Sequence, residues 1–180
     1  MNFYSDQIIN DIIDTEPLEN IIDSIESFTA HYKYTIVKYS INNISHKYTT
    51  FLLKDSKTII AFHCMDNEFS IANCPSILIY RKYKKDDEIR YYILLACTKR
   101  NFRGQGYASR LIDGLVERVK SENDKPVKII LSSLENAVLF YEEYGFRWKR
   151  ESILEHPLLI RYEGYDKKRY YYIMELVVVP

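Results

Sequence analysis

The sequence predicts a single mixed α/β domain over residues 1–180, built on a central sheet with at least one parallel strand pair. Three observations carry that reading. Residues 32–98 are dense in aromatic and β-branched side chains and are broken by charged turns. Past Cys97 the apolar residues recur at three and four, the spacing of a helix with one buried face. Strand, helix, strand and helix then follow closely, and such alternation needs crossover connections between parallel neighbours.

The elements follow in chain order. Ile8, Ile9, Ile12 and Ile13 share one helical face; after the Glu16-Pro17 break, Leu18, Ile21, Ile22, Ile25 and Phe28 repeat the spacing, so residues 1–30 read as an acidic helical segment. Tyr32 to Ile41 reads as a strand. Residues 48–65 read as a hairpin turning at Lys54 to Lys57, and residues 76–98 as a second one turning at Lys84 to Glu88. Ala108, Leu111, Ile112, Leu115, Val116 and Val119 form one helical stripe that stops near Asn123 to Pro126. Val127 to Ser133 is a short apolar strand, and residues 136–146 are a short helix stopped by Gly145. The tail, residues 158–179, reads as two strands around a turn near Gly164 to Lys168.

Composition narrows the function. Hydrophobic residues are 47% and charged residues 28%, which fits a folded globule and excludes a disordered chain. A formal net charge of zero removes the global drive for nucleic-acid binding, and no direct nucleic-acid contact is expected. The charge is uneven, however. Residues 1–30 carry Asp6, Asp11, Asp14, Glu16, Glu19, Asp23 and Glu26 without a lysine or arginine, while Lys99, Arg100 and Arg103 cluster later. A local basic spot on a neutral chain suits a small anionic ligand. Cys64, Cys74 and Cys97 show no paired spacing, so a disulfide scaffold is not expected. No apolar run is long enough for a bilayer and the acidic N-terminus does not resemble a signal peptide, so an intracellular, cytoplasmic protein without a membrane partner is expected.

The chemistry concentrates in Lys99 to Val119. A helix start offers unpaired backbone N–H groups and a positive dipole end, the natural seat for a phosphate. In Arg103-Gly104-Gln105-Gly106-Tyr107-Ala108 the glycines permit close approach and positive φ, and Arg103 adds charge. A plain glycine turn is the bland alternative. A triphosphate loop is excluded because no lysine followed by serine or threonine comes after Gly106. A nicotinamide fingerprint is excluded because the glycines come late and the next strand ends in Ser132-Ser133, without an acidic residue.

Arg103 to Ala108 resembles the donor-binding motif of the GCN5-related N-acetyltransferase (GNAT) family, with Phe102 in the aromatic place before the arginine. Phe140-Tyr141-Glu142-Glu143-Tyr144-Gly145-Phe146 is similar to the family's second hallmark, with Ala137 at its small position, and Tyr172 to Leu176 looks like its closing strand. The resemblance covers residues 88–179 and implies a GNAT-like fold, a mixed and splayed sheet flanked by helices. It implies acetyl transfer from acetyl-CoA to a primary amine by direct attack in a ternary complex. It also implies that main-chain groups at Cys97 and Thr98 meet the thioester and pantetheine, and that Arg103, Gly104, Gln105, Gly106, Tyr107 and Ala108 hold the pyrophosphate. Asn136 stands two residues later than the asparagine that contacts pantetheine in many members. A protein that keeps the shape and the acyl-CoA site without catalysis is the alternative.

Transfer also needs a proton for the departing thiolate. A phenol, with pKa about 10, is protonated at neutral pH, and the resemblance points to Tyr141 as that acid; packing is its competing role. The strand Ile89 to Thr98 has no carboxylate, so the base is Glu88, with Glu68, His63 or water as alternatives. Cys97 is read as a small buried residue rather than a nucleophile. His31, His46, His63 and His156 are scattered, so no metal is expected. The acidic first thirty residues would favour a cationic acceptor, a small amine or a basic peptide or protein, if they border its cleft; a solvated face is the competing reading. Whether the chain is a monomer or a homodimer is left open.

Overall fold

The structure, a computed structural model, describes residues 8–9, 22–36, 44–63, 70–163 and 166–180. It is a mixed α/β fold on an open, mixed sheet. The chain divides into two compact units, residues 1–79 with 95–115 and residues 80–94 with 116–180.

In the first unit the hydrogen-bonded order is β1 (Ile8–Ile9), β2 (Ile59–His63), β3 (Ser76–Lys85) and β4 (Glu88–Thr98), with β3 and β4 shared between the units. Ile8 and Ile9 pair antiparallel with His63 and Phe62, so they form a strand where the periodicity predicts a helix. Residues 1–7 and 10–21, with Asp6, Asp11, Asp14, Glu16 and Glu19, lie outside the described residues, as do Cys64 and Glu68. Helix α1 (Ile25–Ile36) opens on Ser24, whose Oγ accepts from the Ser27 N–H at 2.9 Å.

The helix runs through Tyr32, which corrects the strand expected there. Ile25, Phe28 and Tyr32 are buried on one helical face, and that burial overrides the β-leaning composition. Helix α2 (Ile44–Lys54) replaces the first limb of the expected hairpin for the same reason. Thr49, Leu52 and Leu53 are buried at helical spacing, while Lys47, Phe51 and Lys54 face outward. Asp55 then starts the turn into β2 by accepting from the Lys57 N–H at 3.0 Å.

In the second unit the order is β3, β4, β5 (Val127–Ser133), β7 (Tyr172–Val178) and β6 (Arg147–Lys149). The β3–β4 hairpin turns at Asp86-Asp87, with Asp86 at φ 54, a conformation aspartate tolerates. β4 and β5 are parallel, and their register runs from Arg90 opposite Lys128 to Ile93 opposite Leu131, although β4 continues to Thr98. β7 returns antiparallel to β5, and Glu175, buried on β7, is held by Lys128 at 3.1 Å and Lys149 at 3.3 Å.

Helix α3 (Tyr107–Glu122) follows the glycine loop, and α4 (Val138–Tyr144) follows β5. Helix α5 (Pro157–Glu163) corrects the first strand expected in the tail. Proline suits a first helical position, and Leu158, Leu159 and Tyr162 bury one side of the turn. No helix among the described residues is long and apolar enough to cross a membrane.

Candidate functional site

In the first unit β4 ends at Thr98, a short 3₁₀ turn covers Arg100–Phe102, and the chain enters α3 through Arg103 to Gly106. Gly104 and Gly106 have φ of 77° and 80°. A Cβ added to Gly104 would meet nothing within 4 Å, and one added to Gly106 would find only Arg110 Nε, at 4.0 Å. These glycines therefore serve backbone conformation and leave open space, the shape of a cradle that a side chain would fill. Helix geometry leaves the first N–H groups of α3 without intrahelical partners, and Arg110 N–H makes an early bond to Gly106 O at 3.1 Å. A 16-residue helix also adds its positive dipole end there.

The loop is braced from within. Gln105 Nε2 donates to Asn101 O at 3.2 Å, and Arg110 Nη2 donates to Gln105 O at 3.3 Å while its guanidinium lies 5.2 Å from the Tyr107 ring centre. Phe102 meets Tyr107 edge-on at 6.1 Å. Arg103 is exposed and its Nε donates to Thr98 O at 3.2 Å. Arg103 to Ala108 thus form one cradle with a cationic rim, a donor set that fits a pyrophosphate. The Cys97 thiol is fully buried and desolvation pushes its pKa far up, so it is chemically quiet.

The remaining sequence-derived residues lie in the second unit. Tyr141 is 8% exposed, packed against Phe140 at 5.0 Å and Phe146 at 5.5 Å. Its carbonyl accepts from the Gly145 N–H at 3.2 Å and the Phe146 N–H at 2.9 Å, so the turn after α4 is locked onto it. Asn136 is exposed within a 3₁₀ turn, Glu135–Ala137. Glu88 is exposed at the start of β4, where Arg90 grips both its oxygens at 2.9 and 2.8 Å and holds its carboxyl below the ordinary range. The same strand runs eleven residues from Glu88 to Thr98. Among the described residues no group of three His, Cys, Asp or Glu is placed to hold a metal.

Residues 76–158 match the acetyltransferase (GNAT) domain family, a span that contains the glycine cradle and the Tyr141 helix. That span, 83 of the 180 residues, is similar to a GNAT domain. No curated protein matches the chain in sequence. Among solved structures, the GNAT fold is shared with Tetrahymena GCN5, at TM-score 0.58 and 15% identity over 87% of each chain. It is shared as well with N-acetylglutamate synthase from Neisseria gonorrhoeae, solved with coenzyme A and N-acetyl-glutamate. That match has TM-score 0.62 and 13% identity, and covers 94% of this chain and 35% of that one. At these identities the likeness is one of fold.

Two features of the structure escape sequence reasoning. One is a clamp on the strand end. Ser76 Oγ donates to Cys97 O at 3.0 Å, Lys99 N–H donates to Pro75 O at 2.8 Å, and Lys99 Nζ donates to Ile71 O and Ala72 O at 2.7 and 2.9 Å. Lys99 also lies 5.6 Å from the Tyr32 ring centre, and burial lowers its pKa. The other, outside the matched span, is the half-buried Glu163 at the end of α5, whose buried Oε2 lacks a hydrogen-bond partner and lies 3.7 Å from Arg169; desolvation raises its pKa. The clamp has no local sequence signal because it joins residues more than twenty positions apart, and Glu163 reads as an ordinary helix-end carboxylate.

Proposed function

We propose that this GNAT-like chain is an N-acetyltransferase that moves an acetyl group from acetyl-CoA to a primary amine within a ternary complex. The observation that carries the reading is the cradle at Gly104 and Gly106, open, left-handed and opening a 16-residue helix one short turn after a strand end. The Neisseria relative's coenzyme A supports the choice of donor. In this reading Arg103 to Ala108 bind the pyrophosphate, Asn136 contacts pantetheine, and a main-chain N–H at Cys97 or Thr98 polarises the thioester carbonyl. The quiet Cys97 thiol favours direct attack over an acyl-enzyme. As the new carbon–nitrogen bond forms and the carbon–sulfur bond breaks, Tyr141 gives its phenolic proton to the thiolate. The proton shed by the acceptor nitrogen goes to Glu88 or to water, and water suffices for an α-amine with pKa near 8.

The acceptor we propose is cationic, a small amine or a basic peptide, on account of the acidic N-terminal segment; its described carboxylates, Asp23 and Glu26, are exposed. The natural site of action is the cell interior. A second reading, an acyl-CoA-binding protein without turnover, is favoured by the engagement of Glu88 with Arg90. Free-thiol release from acetyl-CoA, measured across polyamines, basic peptides, aminoglycosides and neutral amino acids, separates the two. Amine-dependent release is expected; retained CoA binding with no release for any amine would select the second reading.

A further inference from the structure

Two hydroxyls meet at the end of β4. Ser76 Oγ lies 3.0 Å from Cys97 O and 3.0 Å from Thr98 Oγ1. A hydroxyl has one proton, and a carbonyl oxygen can only accept. The Ser76 proton is therefore committed to Cys97 O, and the contact between the hydroxyls requires the Thr98 proton. Ser76 is 1% exposed, so water does not compete for this arrangement. Thr98 is partly exposed, and its oxygen has no proton left for any third group. Around it, Thr98 O receives Arg103 Nε and Lys99 N–H is spent on Pro75 O, so the main chain on both sides of the hydroxyl is held.

We infer that Ser76 is a positioning residue that makes the Thr98 hydroxyl a dedicated acceptor for an N–H group of the molecule bound at the glycine cradle. The inference rests on the acetyl-CoA reading above. Its chemistry fits two sources, an amide N–H of the pantetheine arm or the N–H of the acceptor amine. An ordinary serine–threonine contact would leave the Thr98 proton free to turn toward either kind of partner; here the Cys97 carbonyl removes that freedom.

The test is calorimetric titration of CoA, together with acceptor KM and kcat, for the wild-type chain, Thr98→Val, Thr98→Ser, Ser76→Ala and the double variant Ser76→Ala/Thr98→Val. Losing the acceptor in Thr98→Val should weaken one ligand about tenfold, and Ser76→Ala about threefold, the scale of one hydrogen bond. Thr98→Ser, which keeps the oxygen, should recover most of the affinity. Weaker CoA binding assigns the pantetheine amide; a raised acceptor KM with unchanged CoA affinity assigns the amine. Ser76→Ala should add nothing to Thr98→Val if it acts through that hydroxyl, whereas a merely structural serine would add its own loss. Should Ser76→Ala fail to fold, the Thr98→Val and Thr98→Ser pair decides. Wild-type CoA affinity and acceptor KM in Thr98→Val would overturn the inference with the donor site intact. No CoA binding by the wild-type chain would overturn the acetyl-CoA reading and this inference with it.

Discussion

Gly104 and Gly106 take a left-handed backbone to open a helix, and Gly145 takes one to close another. Around Gly145 the conformation is used up internally. Its N–H and that of Phe146 fill carbonyls of α4, and an added Cβ would touch Leu176 Cδ1 at 3.7 Å. Around Gly104 and Gly106 an added Cβ would project into space, and the helix start beyond them presents donors rather than consuming them. A positive φ therefore closes a helix at one place and leaves an open cradle at the other. What distinguishes them is the fate of the neighbouring polar groups.

The largest expected break in that comparison is Gly106→Val. A β-branched residue at φ 80° is strained, and its side chain would fill the cradle. Detectable CoA binding should vanish, whereas equal donor affinity by calorimetry would show that the loop has another use. Next is Tyr141→Phe, which keeps the ring contacts with Phe140 and Phe146 and removes the proton. Turnover should fall about 10²-fold with donor affinity nearly intact; an unchanged rate with a competent amine would return Tyr141 to packing.

Gly145→Ala sharpens the comparison from the other side. It should cost about 1–2 kcal/mol in urea unfolding from the left-handed strain, with CoA affinity preserved. A larger loss of CoA affinity than of stability would erase the distinction drawn here.

The smallest effect concerns pH. Burial raises the Glu163 pKa, so the folded chain disfavours its charged form. The unfolded chain ionises first as pH rises above the ordinary glutamate pKa of about 4.3, and stability is lost from there up to the raised folded value. Glu163→Gln should raise the melting temperature at about pH 8 more than at about pH 4. An equal change at both would mean that the carboxyl is not held neutral. His156 supplies the opposite slope. It is buried against Tyr92, with Nδ1 at 3.1 Å from the phenol oxygen, and desolvation lowers its pKa, so its stability contribution is lost as pH falls below about 6.5.

These regions also differ in what the sequence reveals. The glycine cradle, α3 and the Gly145 cap are local patterns of a few adjacent residues, and each is legible. Ile8–Ile9, Tyr32–Ile36, Ile44–Lys54 and Pro157–Glu163 are misread because isoleucine, tyrosine and threonine fit either period over so short a span. Partners decide them, β2 for Ile8 and Ile9, and the buried face shared with Ile25 and Phe28 for Tyr32. The site divides in the same way. Arg103 to Ala108 announce themselves, whereas Ser76, which fixes Thr98 from 22 residues away, has no local signal.

In the proposed function, backbone N–H groups around Gly104 and Gly106 seat the donor's phosphates. Amide NMR of ¹⁵N-glycine-labelled protein tests it directly, since the chain has only five glycines. On titration with CoA, the Gly104 and Gly106 resonances should shift and saturate together with the calorimetric binding curve, while Gly145, whose N–H is already bonded within its cap, stays near its free position. Unmoved Gly104 and Gly106 resonances at saturating CoA would contradict the account.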